Sequence, residues 1–285
     1  MKLEIKNLNK NYGDKHALKD MNITLKPGIY GLLGKNGAGK STLMNLLTDN
    51  IKRTSGVILL DGKEILSMGA DYRKLIGYMP QQQGMYDQFS ARRFLYYVSS
   101  LKGLTRKQAK EGVEKYLDLV NLSDVADKKL GGFSGGMRQR VMFAATMLGE
   151  PKIYLLDEPT AGLDPEERIK IRNYISKISG ENIVILATHV VNDVECIADE
   201  IILMKSGEVV DINPPHKMIE AVEPKVYEKR CNYEEMEALN DKYKKGNVRQ
   251  GKDGLYFRIV ADEKPEGFSE IKGDANLEDV YLYYL

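Results

Sequence analysis

The sequence predicts an α/β fold with a helical insertion and a small C-terminal α+β extension. Three observations predict it. Apolar runs such as Ile29–Leu33, Ile153–Leu156 and Ile183–Ala187 have the unbroken hydrophobicity of strands covered on both faces. A glycine-rich stretch, Gly34-Lys35-Asn36-Gly37-Ala38-Gly39-Lys40-Ser41 and then Thr42, separates the first run from the helix-forming residues 43–47. From about Ser90 to Gly149 the apolar spacing becomes helical.

The glycine-rich stretch fits G-x-x-x-x-G-K-[ST], a phosphate-binding loop in its required strand–loop–helix setting. Gly34, Gly37 and Gly39 let successive N–H groups curl inward toward phosphate oxygens. The helix start adds unpaired N–H groups and a positive dipole end. Lys40 would reach the β- and γ-phosphates, and the Ser41 hydroxyl would hold Mg²⁺.

Taken in order, Leu3, Ile5 and Leu8 mark a first strand and Met21–Leu25 a second. Between them, Tyr12 offers a ring that can stack on a base. Gly56–Leu60 reads as a strand with Asp61-Gly62 as a hairpin turn. Ile76–Met79 is another, ended by Pro80 and followed by Gln81-Gln82-Gln83, one of which could place an amide near a metal or water. In the helical region, Phe94, Leu95, Val98 and Leu101 share helical spacing, and Tyr96 and Tyr97 read as core aromatics. Thr105-Arg106-Lys107-Gln108 is a capping box opening a helix whose inner face holds Val113, Tyr116, Leu117 and Val120. Ser134-Gly135-Gly136 opens a helix through Leu148, a possible second anion contact.

The Ile153–Leu156 strand ends in two carboxylates. Asp157 suits Mg²⁺, and Glu158 suits a general base on a water beside the γ-phosphate. Asp164 caps a helix whose first residue is Pro165. Ile183–Ala187 ends in Thr188-His189, where the imidazole could touch a γ-phosphate. Ile201–Met204 and Val209-Val210 form a closing hairpin, and Pro214-Pro215 marks a boundary. Beyond it, strands are expected at 226–229 and 255–260 and helices at 233–243 and 277–284. The charge cluster Asp241–Lys245 reads as a solvated helix end.

Composition narrows the function. In 285 residues, 42 basic and 41 acidic side chains give a net charge of +1, which offers no broad basic footprint for nucleic acid. The two cysteines, Cys196 and Cys231, lie outside any metal spacing and suggest a reducing compartment. The start alternates charged and apolar residues, unlike a signal peptide. No apolar run approaches the ~18–20 residues of a membrane span, so a membrane role requires another polypeptide.

Residues 1 to about 212 resemble the ATP-binding cassette (ABC) ATPases, and the order of motifs carries the resemblance. Tyr12 matches the A-loop aromatic, Gly34–Ser41 Walker A, Gln81 the Q-loop, Phe133–Met137 the signature, Ile153–Asp157 Walker B, Glu158 the catalytic glutamate, Ala161–Asp164 the D-loop and His189 the switch histidine. The signature departs from LSGGQ at Phe133 and Met137, while Ser134, Gly135 and Gly136 are intact. The resemblance implies a P-loop NTPase (RecA-like) core with an antiparallel β subdomain, a helical subdomain at about 84–149, and an extension at 213–285. It implies ATP and Mg²⁺, with Ser41, Gln81 and Asp157 around the metal and Lys40, Glu158 and His189 in the chemistry. It also implies a head-to-tail pair of cassettes, the signature of one closing on the other's nucleotide, and a separate transmembrane permease docked on the helical insertion. The chain would then be cytoplasmic, on the inner face of the cell membrane. The wording around Ser134 and the extension are similar to bacterial ABC-2-type exporters of antibiotics, peptides, lipids or polysaccharides. An importer ATPase or a soluble ABC-type regulatory protein is the alternative. A DNA- or ribosome-linked cassette fits less well, because no heptad run splits the motifs and the chain has one cassette.

Overall fold

The computed structural model describes residues 1–81, 84–243, 246–251 and 253–285. The chain runs β1 (Leu3–Tyr12), β2 (Lys15–Leu25), β3 (Gly28–Leu33), α1 (Lys40–Leu47), β4 (Ser55–Leu60) and β5 (Lys63–Glu64). It continues through α2 (Ile65–Met68), α3 (Ala70–Lys74), β6 (Ile76–Met79), α4 (Ala91–Leu101), α5 (Arg106–Leu119), α6 (Gly135–Met147) and β7 (Ile153–Asp157). Next come α7 (Pro165–Ile178), β8 (Ile183–Ala187), α8 (Val191–Ile197), β9 (Glu200–Lys205) and β10 (Glu208–Asn213). The remainder holds α9 (Pro215–Val222), β11 (Val226–Cys231), α10 (Tyr233–Lys242), β12 (Asn247–Gly251), β13 (Gly254–Val260), β14 (Ser269–Glu270) and α11 (Leu277–Tyr284).

Alternation builds the first sheet, which is antiparallel in the order β2-β1-β4-β5. Leu3, Ile5 and Leu8 point inward beside Met21, Ile23 and Leu25 of β2. Asp61 and Gly62 both take positive φ, 48° and 80°, as a two-residue β4–β5 turn demands. The second sheet, β10-β9-β3-β8-β7-β6, is parallel except for β10. Every residue of β3, β7 and β8 is buried, as both-face coverage requires. These three strands are neighbours, so the segments leaving their carboxyl ends converge at one edge. That edge is where the phosphate loop, Glu158 and His189 emerge.

The helical insertion is set by caps and apolar faces. Ser90 caps α4, Ser134 caps α6, and the Thr105–Gln108 box opens α5 with both reciprocal bonds made. Val113, Tyr116, Leu117 and Val120 are buried as their spacing predicts. Two expectations fail on α4. Leu101 is 69% exposed and Tyr97 is 37% exposed. The inward face is filled by Phe94, Leu95 and Ser99, which leaves positions 97 and 101, one turn apart, on the outer side. Tyr97 instead joins an edge-to-face surface cluster, 5.6 Å from Tyr86 and 5.9 Å from Phe89. Tyr96 does pack against the core.

Helices α2, α3, α8 and α9 and strands β12 and β14 are additions to the sequence reading; each spans eight residues or fewer. In the extension, the antiparallel sheet β12-β13-β11-β14 buries Tyr227, Phe257, Ile259 and Phe268, with Met236 and Leu239 of α10 packed against them. Val226, Leu277, Val280 and Leu285 belong to the same continuous core as β3, β7 and the insertion. Glu195 of α8 caps this contact by accepting from the Leu277 N–H at 3.1 Å. Lys244 and Lys245 of the predicted charge cluster lie outside the described residues, as do Gln82 and Gln83.

Candidate active site

The phosphate loop leaves β3 under tight steric constraint. A Cβ at Gly34 would lie 2.5 Å from the Met204 carbonyl oxygen, so β9 leaves no room for a side chain. Gly39, at φ 106°, is the N-cap of α1 and would drive a Cβ into Leu18 and the Ala17 carbonyl. Lys40 curls back over this loop, its Nζ donating to the Gly34 carbonyl at 2.5 Å and the Lys35 carbonyl at 3.3 Å. Burial holds the Lys40 ammonium below its usual pKa, while the charges of Glu158 and Asp157 pull it back up.

A cleft of about 310 Å³ opens above the loop. Its floor carries Asn36, Gly37, Gly39, Lys40, Ser41 and Thr42. Its walls carry Asp157, Glu158 and His189 from the ends of β7 and β8, Gln81 after β6, and Tyr12 from β1. The two strand ends are in register, Asp157 pairing with Ala187, which sets Glu158 beside Thr188 and His189. Gly34, Lys35 and Ala38, also expected in the site, belong to the loop but do not line the cleft: Gly34 and Ala38 are buried and Lys35 is exposed elsewhere on it. Lys15 and Ala17 of β2 also line the cleft. Their spacing carries no motif; the available signal was that a hairpin returning from Tyr12 pairs it with Lys15.

Asp157 is buried, and Ser41 Oγ donates to its Oδ2 at 3.5 Å. Burial raises the Asp157 pKa and the charge of Glu158 raises it further, against smaller lowering from Lys40 and Ser41. A desolvated carboxylate beside a hydroxyl is an oxygen donor set suited to a hard divalent cation that keeps waters and phosphate ligands. Among the described residues no group of three or more His, Cys, Asp or Glu forms a self-sufficient metal cage.

Glu158 is the most constrained residue of the cleft. Its carboxylate accepts from Thr188 Oγ1 at 3.0 Å and from the His189 N–H at 2.9 Å, and His189 Nδ1 lies 2.7 Å from its Oε1. The His189 side chain is otherwise solvent-facing. Glu158 is buried at φ 54°, a conformation that favours glycine. Thr188 was not singled out from the sequence, because a hydroxyl one residue before a histidine has no signal of its own.

Ser134, Gly135 and Gly136 do not join this cleft. Ser134 and Gly135 are exposed at the N-terminus of α6, where the Ser134 hydroxyl accepts from the Met137 N–H at 3.2 Å. A Cβ at Gly135 would meet nothing within 4 Å. Phe133, the residue replacing leucine, is buried in the core.

Residues 18–161 match the ABC transporter family. The chain is 30% identical over 298 aligned positions to the Nod factor export ATP-binding protein I of Burkholderia orbicola (strain AU 1054), covering 98% of this chain and 95% of that one. The chain belongs to the ABC transporter family. It is an ATP-binding subunit and an ATPase of that family, with the P-loop NTPase fold. It is also 36% identical to the uncharacterized ABC transporter ATP-binding protein YxlF of Bacillus subtilis (strain 168), over 73% of this chain and 69% of that protein. Among solved structures, it resembles the ATP-binding cassette MJ0796, described as dimeric, post-hydrolysis and bound to ADP and Pi. That likeness has a TM-score of 0.68 at 26% identity, over 74% of this ABC chain and 98% of the other. No helix among the described residues is long and apolar enough to cross a membrane.

Proposed function

We propose that this chain powers export through a separate transmembrane permease, by ATP-driven closure of two copies head to tail. The observation that carries the proposal is the split of the phosphate-facing groups. Lys40, Ser41, Asp157, Glu158 and His189 share one cleft, while the Ser134–Gly136 helix start, exposed at Ser134 and Gly135, lies outside it. A second copy supplies the missing half: its α6 N-terminus covers the γ-phosphate face that this chain leaves open.

Within the cleft, Tyr12 stacks on the adenine and Lys40 neutralises the β- and γ-phosphates. Ser41, Asp157 and the Gln81 amide hold Mg²⁺, which supplies charge neutralisation on the phosphates. Glu158 accepts a proton from the attacking water. The Thr188 and His189 contacts orient its carboxylate, and His189 swings from Glu158 to the γ-phosphate. The exposed rings of Tyr86 and Tyr97, clustered with the half-buried Phe89, lie on the helical insertion, the side proposed to meet the permease. Export is favoured over import by the Nod factor export relative, which matches this chain through its extension as well as its cassette. The cargo is chosen by the permease. We place the chain at the inner face of the cell membrane.

Glu158→Gln tests the proposal. It keeps side-chain shape and removes the proton acceptor, so turnover falls roughly 10²–10⁴-fold. Binding of ATP-Mg²⁺ persists through Lys40, Ser41 and Asp157, and a dimer appears on size-exclusion chromatography with ATP. Hydrolysis at the parent rate removes Glu158 as the base; a variant that binds ATP and stays monomeric removes the head-to-tail closure.

A further inference from the structure

Beyond its exposed start, α6 reaches the cleft by a second route. Gln139 is buried within it, and its Nε2 donates to the Glu158 carbonyl oxygen at 2.5 Å. The same carbonyl accepts from the Ala161 N–H at 3.2 Å, and the Glu158 N–H donates to the Ala187 carbonyl at 2.8 Å. The Glu158 backbone is thus held by three hydrogen bonds, two on its carbonyl and one on its N–H. It needs to be, because a left-handed backbone at a non-glycine residue persists only where its surroundings fix it. α6 also packs on the segment just downstream: a Cβ at Gly136 would lie 3.0 Å from the Gly162 carbonyl and 3.5 Å from Leu163.

We propose that Gln139 is a positioning residue for Glu158. Its amide pins the peptide whose kink aims the carboxylate toward Thr188 and His189, so the seating of α6 sets the aim of the base in the same chain. The proposal rests on the function given above, in which Glu158 takes the proton and the α6 start closes on the other copy's nucleotide. It adds a link that function does not require: the helix one chain lends to the opposite site is hydrogen-bonded to its own base. A small displacement of the pinned peptide would be costly, because catalytic groups misplaced by about 1 Å lose up to 10²-fold in rate.

Gln139→Met keeps the side-chain length and helix propensity and removes the donor. We expect kcat to fall about 10-fold with the KM for ATP within about 2-fold of the parent. Gln139→Asn is the second variant. It keeps an amide in the same space, one methylene too short to reach the carbonyl, and shows the same fall if the bond rather than apolar packing matters. Mixed dimers then separate the two ends of α6. With Glu158→Gln on one chain, only the other chain's base turns over. Gln139→Met costs about 10-fold more on the chain with intact Glu158 than on its Glu158→Gln partner. Equal losses in the two arrangements, or a larger loss on the Glu158→Gln chain, would place Gln139 in support of Ser134–Gly136 and overturn the proposal. Unchanged kcat in both homodimeric variants overturns it as well. Failure of the underlying reading looks different: the Glu158→Gln homodimer then hydrolyses ATP at the parent rate.

Discussion

Two regions of this chain bury charge, and they treat it in opposite ways. In the extension, the Arg258 guanidinium is buried and matched on all sides. It makes paired bonds of 2.9 and 2.6 Å to the Asp279 carboxylate, a 3.1 Å bond to Asp274 and a 3.4 Å bond to Glu228. Burial alone would lower its pKa, but the Asp279 bonds and charge outweigh that and hold the cation firmly charged. In the cassette, the bonds Lys40 makes among the described residues go to neutral carbonyls. Among the described residues no ion pair closes between Lys40 and either Asp157 or Glu158, although all three face one cleft. A fully matched buried cation is part of the architecture. Charges held apart across an open cleft are arranged for a ligand that brings its own charges.

Three measurements bear on that contrast, the largest effect first. Lys40→Ala should reduce ATP turnover by about 10³-fold or more, since the charge facing the β- and γ-phosphates is gone. The thermal unfolding midpoint without nucleotide should hold or rise, because a desolvated cation is removed. Phosphate release and calorimetry on the same sample decide it; a large drop in midpoint would make Lys40 structural.

Arg258→Ala should do the reverse. It strands the Asp279 carboxylate in the interior, while Glu228 keeps its pair with Arg249, and costs about 3–5 kcal/mol of stability, read by urea unfolding. Turnover per folded molecule should stay within about 2-fold of the parent. Lost turnover at full folding would show that the network acts on the cleft, to which it is joined through α11 and α8.

The smallest effect concerns Asp157. Its pKa is raised in the folded chain, so between the unfolded and folded values the native state binds more protons than the unfolded state. Its contribution is fully present below the unfolded value and is lost as pH rises through the folded value. Asp157→Asn should therefore raise the nucleotide-free midpoint by about 1–2 °C at pH 7, with the gain vanishing toward pH 4. Mg²⁺-dependent ATP retention should weaken in the same variant. A lower midpoint at pH 7 would mean that Asp157 is satisfied within the protein, as Arg258 is.

Much of the cleft was legible in the sequence. Strand, glycine turn and helix start are local objects, so Gly34–Ser41 could be placed from spacing alone. The same holds for the Thr105–Gln108 box and for Asp164 before Pro165, where side chains bond backbone within one turn. The carboxylates after Ile153–Leu156 could be placed because an unbroken apolar run ends where the sheet meets the ligand edge. The extension was legible as elements only. Its strands at 226–229 and 255–260 are present, but nothing local announced that Val226, Leu277, Val280 and Leu285 complete the core of the cassette.

By itself, then, the sequence determined the phosphate loop, the order of the motifs, the capped helices and the buried strands, because each depends on residues within a few positions of one another. Tertiary structure alone decided the rest. It put Tyr97 on the surface, because helical spacing defines a face without saying what covers it. It brought Lys15 and Ala17 to Tyr12 through hairpin register. It joined Gln139 to Glu158 across 19 positions of sequence and enclosed Arg258 with Glu228, Asp274 and Asp279. These are pairings between chemically ordinary side chains whose partners are chosen by how sheets and helices pack, and packing is set by the whole chain at once.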